Sequence, residues 1–284
     1  MRNKLVLLCA LLLLPLSGCG IISIGYNYAE AYLRYSINSY ATFNDAQKES
    51  IKQDVHTFMA WHRKTMLPEY AGFLQEIQKI VQSGVPLKAE DVRRFRIETR
   101  ALYVKTLSPV VAPAARLLSE VDERQVEEFS VSFARENGKQ RDKELSGSRE
   151  DQLRRRTERS IDFMENLVGS FSDSQLEQIR EMNLRLPYAT PLYIAQREGN
   201  QARLLALLKS RKGEAEIEAL LKEWLITPDA NRGADERITI QAFENGSDEM
   251  VANVYQLLND KQKKVLLKSI AKYINTFQEL ASSK

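Results

Sequence analysis

Apolar residues recur at intervals of three and four from Tyr26 to the C-terminus, and no stretch alternates at period two between hairpin turns. That pattern confines the chain to helices. Leu266, Ile270, Tyr273, Phe277 and Leu280 form one apolar stripe; a second runs through Ile51, Val55, Phe58, His62 and Met66; a third joins Leu153, Thr157, Ser160, Ile161, Met164 and Leu167. Such stripes are covered only by partner helices, so the expected fold is an all-α multi-helix bundle with short connections. Breaks are expected at Gly84-Val85-Pro86, Ser108-Pro109, Gly138, Ser146-Gly147-Ser148, Pro187 to Pro191, Gly213, Thr227-Pro228 and Asn245-Gly246. Residues 41–284 are expected to form one helical domain, or two packed lobes meeting near 139–148.

The first 18 residues follow a different grammar. Arg2 and Lys4 precede a nearly unbroken apolar run from Leu5 to Leu14, and Leu16-Ser17-Gly18-Cys19 closes it. A permanent span needs about 20 apolar residues, so this run reads as a cleaved signal peptide, 1–18. Leu16, Ser17, Gly18 and Cys19 resemble the lipobox of bacterial lipoproteins. The resemblance implies that a dedicated signal peptidase recognises Leu16, Ser17 and Gly18 and cuts before Cys19, which carries fatty acyl chains of the palmitate kind. Each buried CH₂ contributes about 0.8 kcal/mol of membrane affinity, so several chains anchor effectively permanently. The alternative is an ordinary secretory signal that leaves a cysteine nearby. Gly20 occupies the place where an aspartate retains lipoproteins at the inner membrane; the resemblance thus implies the periplasmic face of the outer membrane of a Gram-negative cell. The implied partners are the membrane and the lipoprotein processing and sorting machinery.

Of the two cysteines, Cys9 lies in the expected signal and Cys19, on the lipobox resemblance, carries lipid, so no disulfide is expected. A chain of this length buries a sufficient core without one. The formal net charge of +3 includes Arg2 and Lys4, leaving the mature chain near neutrality. Acid and base are intermixed, which argues against nucleic acid as a partner. The densest basic stretch, Arg154-Arg155-Arg156 with Arg159, is flanked by Glu150, Asp151, Glu158 and Asp162 and reads as a solvated helix face.

One short pattern recurs at four expected helix starts. Phe43-Asn44-Asp45-Ala46-Gln47, Val121-Asp122-Glu123-Arg124-Gln125, Phe171-Ser172-Asp173-Ser174-Gln175 and Leu258-Asn259-Asp260-Lys261-Gln262 all read apolar, cap, acid, any, glutamine. This is a variant of the capping box, with an acid in the first turn that suits the helix dipole. The pattern is similar to the Leu-Thr-x-x-Gln motif of Spy-like periplasmic proteins, all-helical chaperones that hold unfolding clients without ATP, although no copy here has the Leu-Thr pair. The stretch Phe43 to Ile77, with Ala60-Trp61-His62-Arg63 and Leu67-Pro68-Glu69-Tyr70-Ala71, resembles an uncharacterised family of proteobacterial lipoproteins, a domain of unknown function. Members begin with a lipobox and an aromatic segment, as Tyr26, Tyr28, Tyr32 and Tyr35 do here. That family supplies no catalytic residues.

The remaining chemistry is sparse. His56 and His62 stand six apart, about 120° around a helix, and cannot form the i,i+4 pair of a helical zinc site. His62 lies on the apolar stripe and is expected to be a core histidine with a bonded partner. Trp61, His62, Arg63 and Tyr70 form a cluster near Pro68, read as helix packing at a kink with Arg63 reaching Glu69 or solvent; a partner-binding surface is the alternative. Tyr28, Tyr32 and Tyr35 share a stripe on a tyrosine-rich first helix within 19–40, and suit a membrane interface and a helix core equally. No phosphate loop, free thiol, metal or cofactor site is legible. The expected function is therefore a non-enzymatic, lipid-anchored envelope protein that binds other envelope proteins as a structural or adaptor component. The alternatives are an ATP-independent holdase and, with His62 and neighbouring acids as its centre, an envelope hydrolase.

Read as capping boxes alone, the four patterns make a stability prediction. Alanine at Asn44, Asp122, Ser172 or Asn259 costs about 0.5–2 kcal/mol in urea unfolding, and replacing Gln47, Gln125, Gln175 or Gln262 costs less.

Overall fold

The computed structural model describes residues 19–283. The signal segment 1–18, with Leu16, Ser17 and Gly18, lies outside the described residues. Two helices, α1 (Cys19–Asn27) and α2 (Ala29–Asn38), lead into α3 (Asp45–Trp61), α4 (Leu67–Gln82) and the long α5 (Ala89–Ser119). There follow α6 (Glu123–Leu145), α7 (Arg149–Val168), α8 (Asp173–Arg185), α9 (Thr190–Lys209), α10 (Glu214–Leu225), α11 (Ala234–Leu257) and α12 (Asp260–Ser282). The described residues contain no strand, so the chain is an all-α multi-helix bundle.

The packing joins distant parts of the sequence. The last helix, α12, lies along α4 and α7 and touches α1, so the C-terminus is threaded among the first helices. Helix α5 is flanked by α10 and α11, and α6 packs on α9. The stripe of α12 buries Ile270, Phe277 and Leu280, and the stripe of α3 buries Ile51 and Val55. These side chains belong to one contiguous apolar core with residues from both sides of the 139–148 segment.

Several expected breaks are helix interiors. Helix α6 runs through Gly138, although glycine costs about 1 kcal/mol relative to alanine in a helix. Its neighbours hold it: Asn137 donates to Gln201 Oε1 of α9 at 2.6 Å, and Lys139 pairs with Glu136 at 2.9 Å. Helix α5 passes through Pro109 and Pro113, flanked by Thr106, Leu107, Val111 and Ala115, all buried. Asn245-Gly246 lies inside α11, because Arg93 and Arg96 of α5 bind Asn245, Glu244 and the buried Asp248 there. Gly246 serves close approach and not a turn: a Cβ on it would lie 2.8 Å from Leu186 Cδ2. Ser146-Gly147-Ser148 is a true break, where Gly147 takes φ +75° and Ser148 caps α7.

Between α3 and α4 the chain does not stop. Residues His62–Met66 form a turn of π-helix, in which the Leu67 N–H reaches back to the His62 carbonyl. Pro68, in the first turn of α4, is the cause. It has no N–H for the Lys64 carbonyl, and its ring crowds that carbonyl, so the backbone widens by one residue per turn instead of breaking. The widening leaves Met66 and Leu67 fully buried and carries His62 toward α1.

Candidate functional site

Two groups of polar residues sit within or against the core, one around His62 and one at the four cap patterns. At the mouth of the π turn the His62 ring packs against Tyr26, Phe58 and Tyr70, with ring centroids 5.8, 5.7 and 5.6 Å away. Nδ1 lies 2.9 Å from the Tyr26 hydroxyl and Nε2 lies 3.3 Å from the Tyr70 hydroxyl. The Tyr70 hydroxyl is 2.5 Å from Thr106 Oγ1, which donates to the Leu102 carbonyl at 2.8 Å.

These bonds fix the direction of every proton. A carbonyl can only accept, so the Thr106 hydroxyl donates to Leu102 and accepts from Tyr70. Tyr70 has then used its proton and accepts from His62, which places the ring proton on Nε2 and leaves Nδ1 to accept from Tyr26. The neutral imidazole is fully satisfied. Burial holds His62 down to about 4 and raises the Tyr26 phenol, an effect that Arg63 opposes. Both ring nitrogens are engaged by neutral hydroxyls, and this relay ties α1, the π turn, α4 and α5 together. It is organised to hold a neutral ring.

The rest of the cluster departs from expectation at one residue. Arg63 does not reach Glu69, which pairs with Lys105. Its guanidinium lies 5.0 Å from the Tyr26 ring centroid and donates to the Leu280 carbonyl at 3.2 Å, to Ser283 Oγ at 2.6 Å and to Asn27 Oδ1 at 3.2 Å. The last turn of α12 carries carbonyls without helical partners and the negative end of its dipole, and these draw the cation. Trp61 is half-buried against Phe58. His56 stands apart on the surface, 3.3 Å from Glu30.

The four cap patterns are the N-termini of α3, α6, α8 and α12, and each is a complete capping box. Their glutamines do more than cap. Gln47 and Gln125 face each other across two helix starts and exchange amide bonds of 3.3 and 2.7 Å. Gln175 and Gln262 do the same at 3.0 and 3.1 Å. Each side-chain amide also donates to the backbone carbonyl two residues before its partner's cap: Gln47 to Glu120, Gln125 to Thr42, Gln175 to Leu257 and Gln262 to Ser170. The second interlock repeats the first bond for bond. Asp45, Glu123, Asp173 and Asp260 supply a negative charge to each first turn, which offsets the repulsion of two positive helix ends brought together. The first pair is buried; in the second Gln262 is buried and Gln175 half-buried, beside a cleft of about 600 Å³ lined by Phe171, Lys261 and Val265 among others.

Read as caps alone the glutamines matter less than the cap residues, but the geometry gives each glutamine the larger set of bonds. A cap residue makes one bond to its own helix, whereas each glutamine holds its cap, its partner and its partner's loop. The basic stretch also differs from a solvated face. Arg154 pairs with Asp151 at 2.9 Å, but Arg159 reaches Glu144 at 2.5 Å and Arg155 the Ser146 carbonyl at 2.5 Å. Half-buried Arg156 donates to the Asn183 and Pro187 carbonyls, where α8 ends, and desolvation lowers its pKa. Carbonyls at that helix end, with the negative end of its dipole, draw Arg156 away from the acids along its own helix. Tyr26 and Thr106 escaped the sequence reading because neither lies near His62 in the chain, and only packing brings them there.

Residues 39–237 match the model of a family of unknown function (DUF6279). No curated protein and no solved structure matches the chain.

Two measurements check the site. In a double-mutant cycle at Gln47 and Gln125, each alanine variant costs about 1–3 kcal/mol by stranding a buried amide, and the double variant costs less than the sum by about 0.5–3 kcal/mol. For His62, the folded pKa lies below the ordinary value, so the unfolded chain binds the proton that the folded one refuses. Stability is full above pH 6.5 and falls as pH drops toward about 4, by on the order of 3 kcal/mol. A His62→Gln protein has a flatter pH profile across that window in urea melts.

Proposed function

Because the chain belongs to DUF6279, a family without an assigned activity, we propose from its own residues that it is a lipid-anchored envelope protein that works by binding and not by catalysis. The N-terminal sequence carries this reading: a basic start, a short apolar run, and Leu16-Ser17-Gly18 ahead of Cys19. The order and spacing resemble those that lipoprotein processing requires, and Cys19 lies in the same helix, α1, as Tyr26. No helix among the described residues is long and apolar enough to cross a membrane. Gly20 directs the anchored protein to the periplasmic face of the outer membrane in a Gram-negative, proteobacterial cell.

A binding role, as a structural or adaptor component of the envelope, is supported by the chemistry around His62. The one half-buried histidine is held neutral between two phenols, so a hydrolase would find no poised base there. The holdase alternative rests on likeness to the Spy-like motif. It is weakened because all four motif glutamines are engaged with one another.

The Cys19→Ala protein is expected in the soluble periplasmic fraction with its helical content and melting temperature unchanged. Gly20→Asp is expected to move the protein from outer-membrane to inner-membrane density. Retention of Cys19→Ala on salt-washed membranes contradicts the anchor, and an unchanged density position contradicts the sorting. A crosslinked pull-down of the lipidated protein from its native envelope identifies the bound proteins.

A further inference from the structure

The helices nearest the anchor have two apolar faces where one would suffice. Tyr26, Ala29, Leu33 and Ser36 of the α1–α2 segment are buried against the body. On the opposite side Ile24, Tyr28 and Tyr35 are 58%, 69% and 61% exposed, and Ala31 is exposed between them. The segment is effectively one helix, since the Tyr28 N–H bonds the Ile24 carbonyl at 3.1 Å and the Tyr32 N–H bonds the Tyr28 carbonyl at 3.0 Å. At 3.6 residues per turn, positions 24, 28, 31 and 35 fall within about 60° of arc, and the buried set lies roughly across the axis. Exposed apolar residues elsewhere are different in kind: Val85, Ile97, Val131, Phe163, Leu184 and Tyr193 each stand on a separate loop or helix, and Ile238 and Val251 are far apart along α11, the scattered singles that any protein surface shows.

Charge sharpens the contrast. Charged residues make up 28% of the chain, yet Glu30 and Arg34 are the only ones between Gly20 and Asn44. Both stand half-buried on the flank of the segment, and Glu30 is directed to His56. Every exposed residue from Ile24 to Asn38 is uncharged: Ile24, Gly25, Asn27, Tyr28, Ala31, Tyr35 and Asn38. A water-facing helix surface gains nothing from this composition. A bilayer boundary does, because tyrosine places an apolar ring among acyl chains and a hydroxyl among headgroups.

We infer that the exposed Ile24–Tyr28–Ala31–Tyr35 face lies in the headgroup region of the bilayer that holds Cys19, so that the first helices run along the membrane and fix how the helical body is presented. The inference rests on the lipid anchor proposed above. Position supplies the occupant: at about 1.5 Å per residue, Ile24 lies about 7.5 Å and Tyr35 about 24 Å along the helix from Cys19. An anchor at the start of a helix brings the first turns to the surface, and an uncharged aromatic face lets the following turns settle there.

The test uses the lipidated full-length protein, purified from membranes and reconstituted in vesicles of phosphatidylethanolamine and phosphatidylglycerol. Ile24→Cys, Tyr28→Cys and Tyr35→Cys each carry a nitroxide, with Val131→Cys and Leu184→Cys as exposed apolar controls. Collision with oxygen, relative to a water-soluble nickel chelate, is expected to be several-fold higher at 24, 28 and 35 than at the controls. Equal ratios on a protein whose intact mass shows acyl chains at Cys19 overturn this inference alone. A mass without acyl chains overturns the anchor and this inference with it. Strong dipolar coupling between labels at position 28, with both reagents excluded, assigns the face to a second copy and also overturns it.

Discussion

Two helix N-termini repel when they meet, because each carries a partial positive charge and several N–H groups without helical partners. This chain brings such ends together twice and stabilises the contact with the same three devices: a cap side chain, an acid in the first turn, and a glutamine that reaches across to its counterpart. The sequence distance bridged is large. One interlock connects the starts of α3 and α6, the other the starts of α8 and α12, so the start of the last helix is held against the middle of the chain while its apolar stripe packs on α4 and α7. Apolar burial is nearly indifferent to sliding by a turn; a reciprocal pair of amide bonds is not. The interlocks thus set the register within which the core packs.

The π turn solves a related problem at the other polar site. Pro68 prevents a continuous α-helix from α3 into α4, and the extra residue accommodated there swings His62 beneath Tyr26. The histidine then joins the N-terminal helix to α4 and α5 through a chain of hydroxyls that ends on the Leu102 carbonyl. Since Cys19 and Tyr26 lie in one helix, this relay also connects the proposed anchor to the body. A lipid-held protein whose first helix were loosely attached would present its surfaces in many orientations; one clamped through Tyr26, with Arg63 stacked above it and bound to the end of α12, presents few.

Fold class was legible in the sequence because three- and four-residue spacing is a local property, and so were the four helix starts, since a capping box occupies four consecutive residues. The pairing of those starts was not legible. Nothing within a helix start announces which other one its glutamine will meet, and the bonds cross 78 and 87 residues. Gly138, Pro109 and Asn245-Gly246 looked like breaks because propensity there disfavours helix, by about 1 kcal/mol for glycine and about 3 for proline. Tertiary bonds from Asn137, Arg93 and Arg96 and the burial of Val111 and Ala115 outweigh that cost. The partners of Arg63 and Arg156 were not legible for one reason: both bind carbonyls at a distant helix end, which sequence spacing does not reveal. His62 was legible as a buried ring, but its partners Tyr26 and Thr106 were not.

Native-state hydrogen exchange at the four glutamines tests most directly whether the motif is an internal interlock. The backbone amides of Gln47, Gln125, Gln175 and Gln262 each bond a cap side chain at a helix start, where amides ordinarily fray and exchange by small local openings. If the interlocks set the register of the bundle, these four exchange only with global unfolding, at the free energy of the most protected amides of the core. If they exchange like frayed helix ends while the interiors of α4 and α12 stay protected, the glutamine pairs are incidental and the account is contradicted.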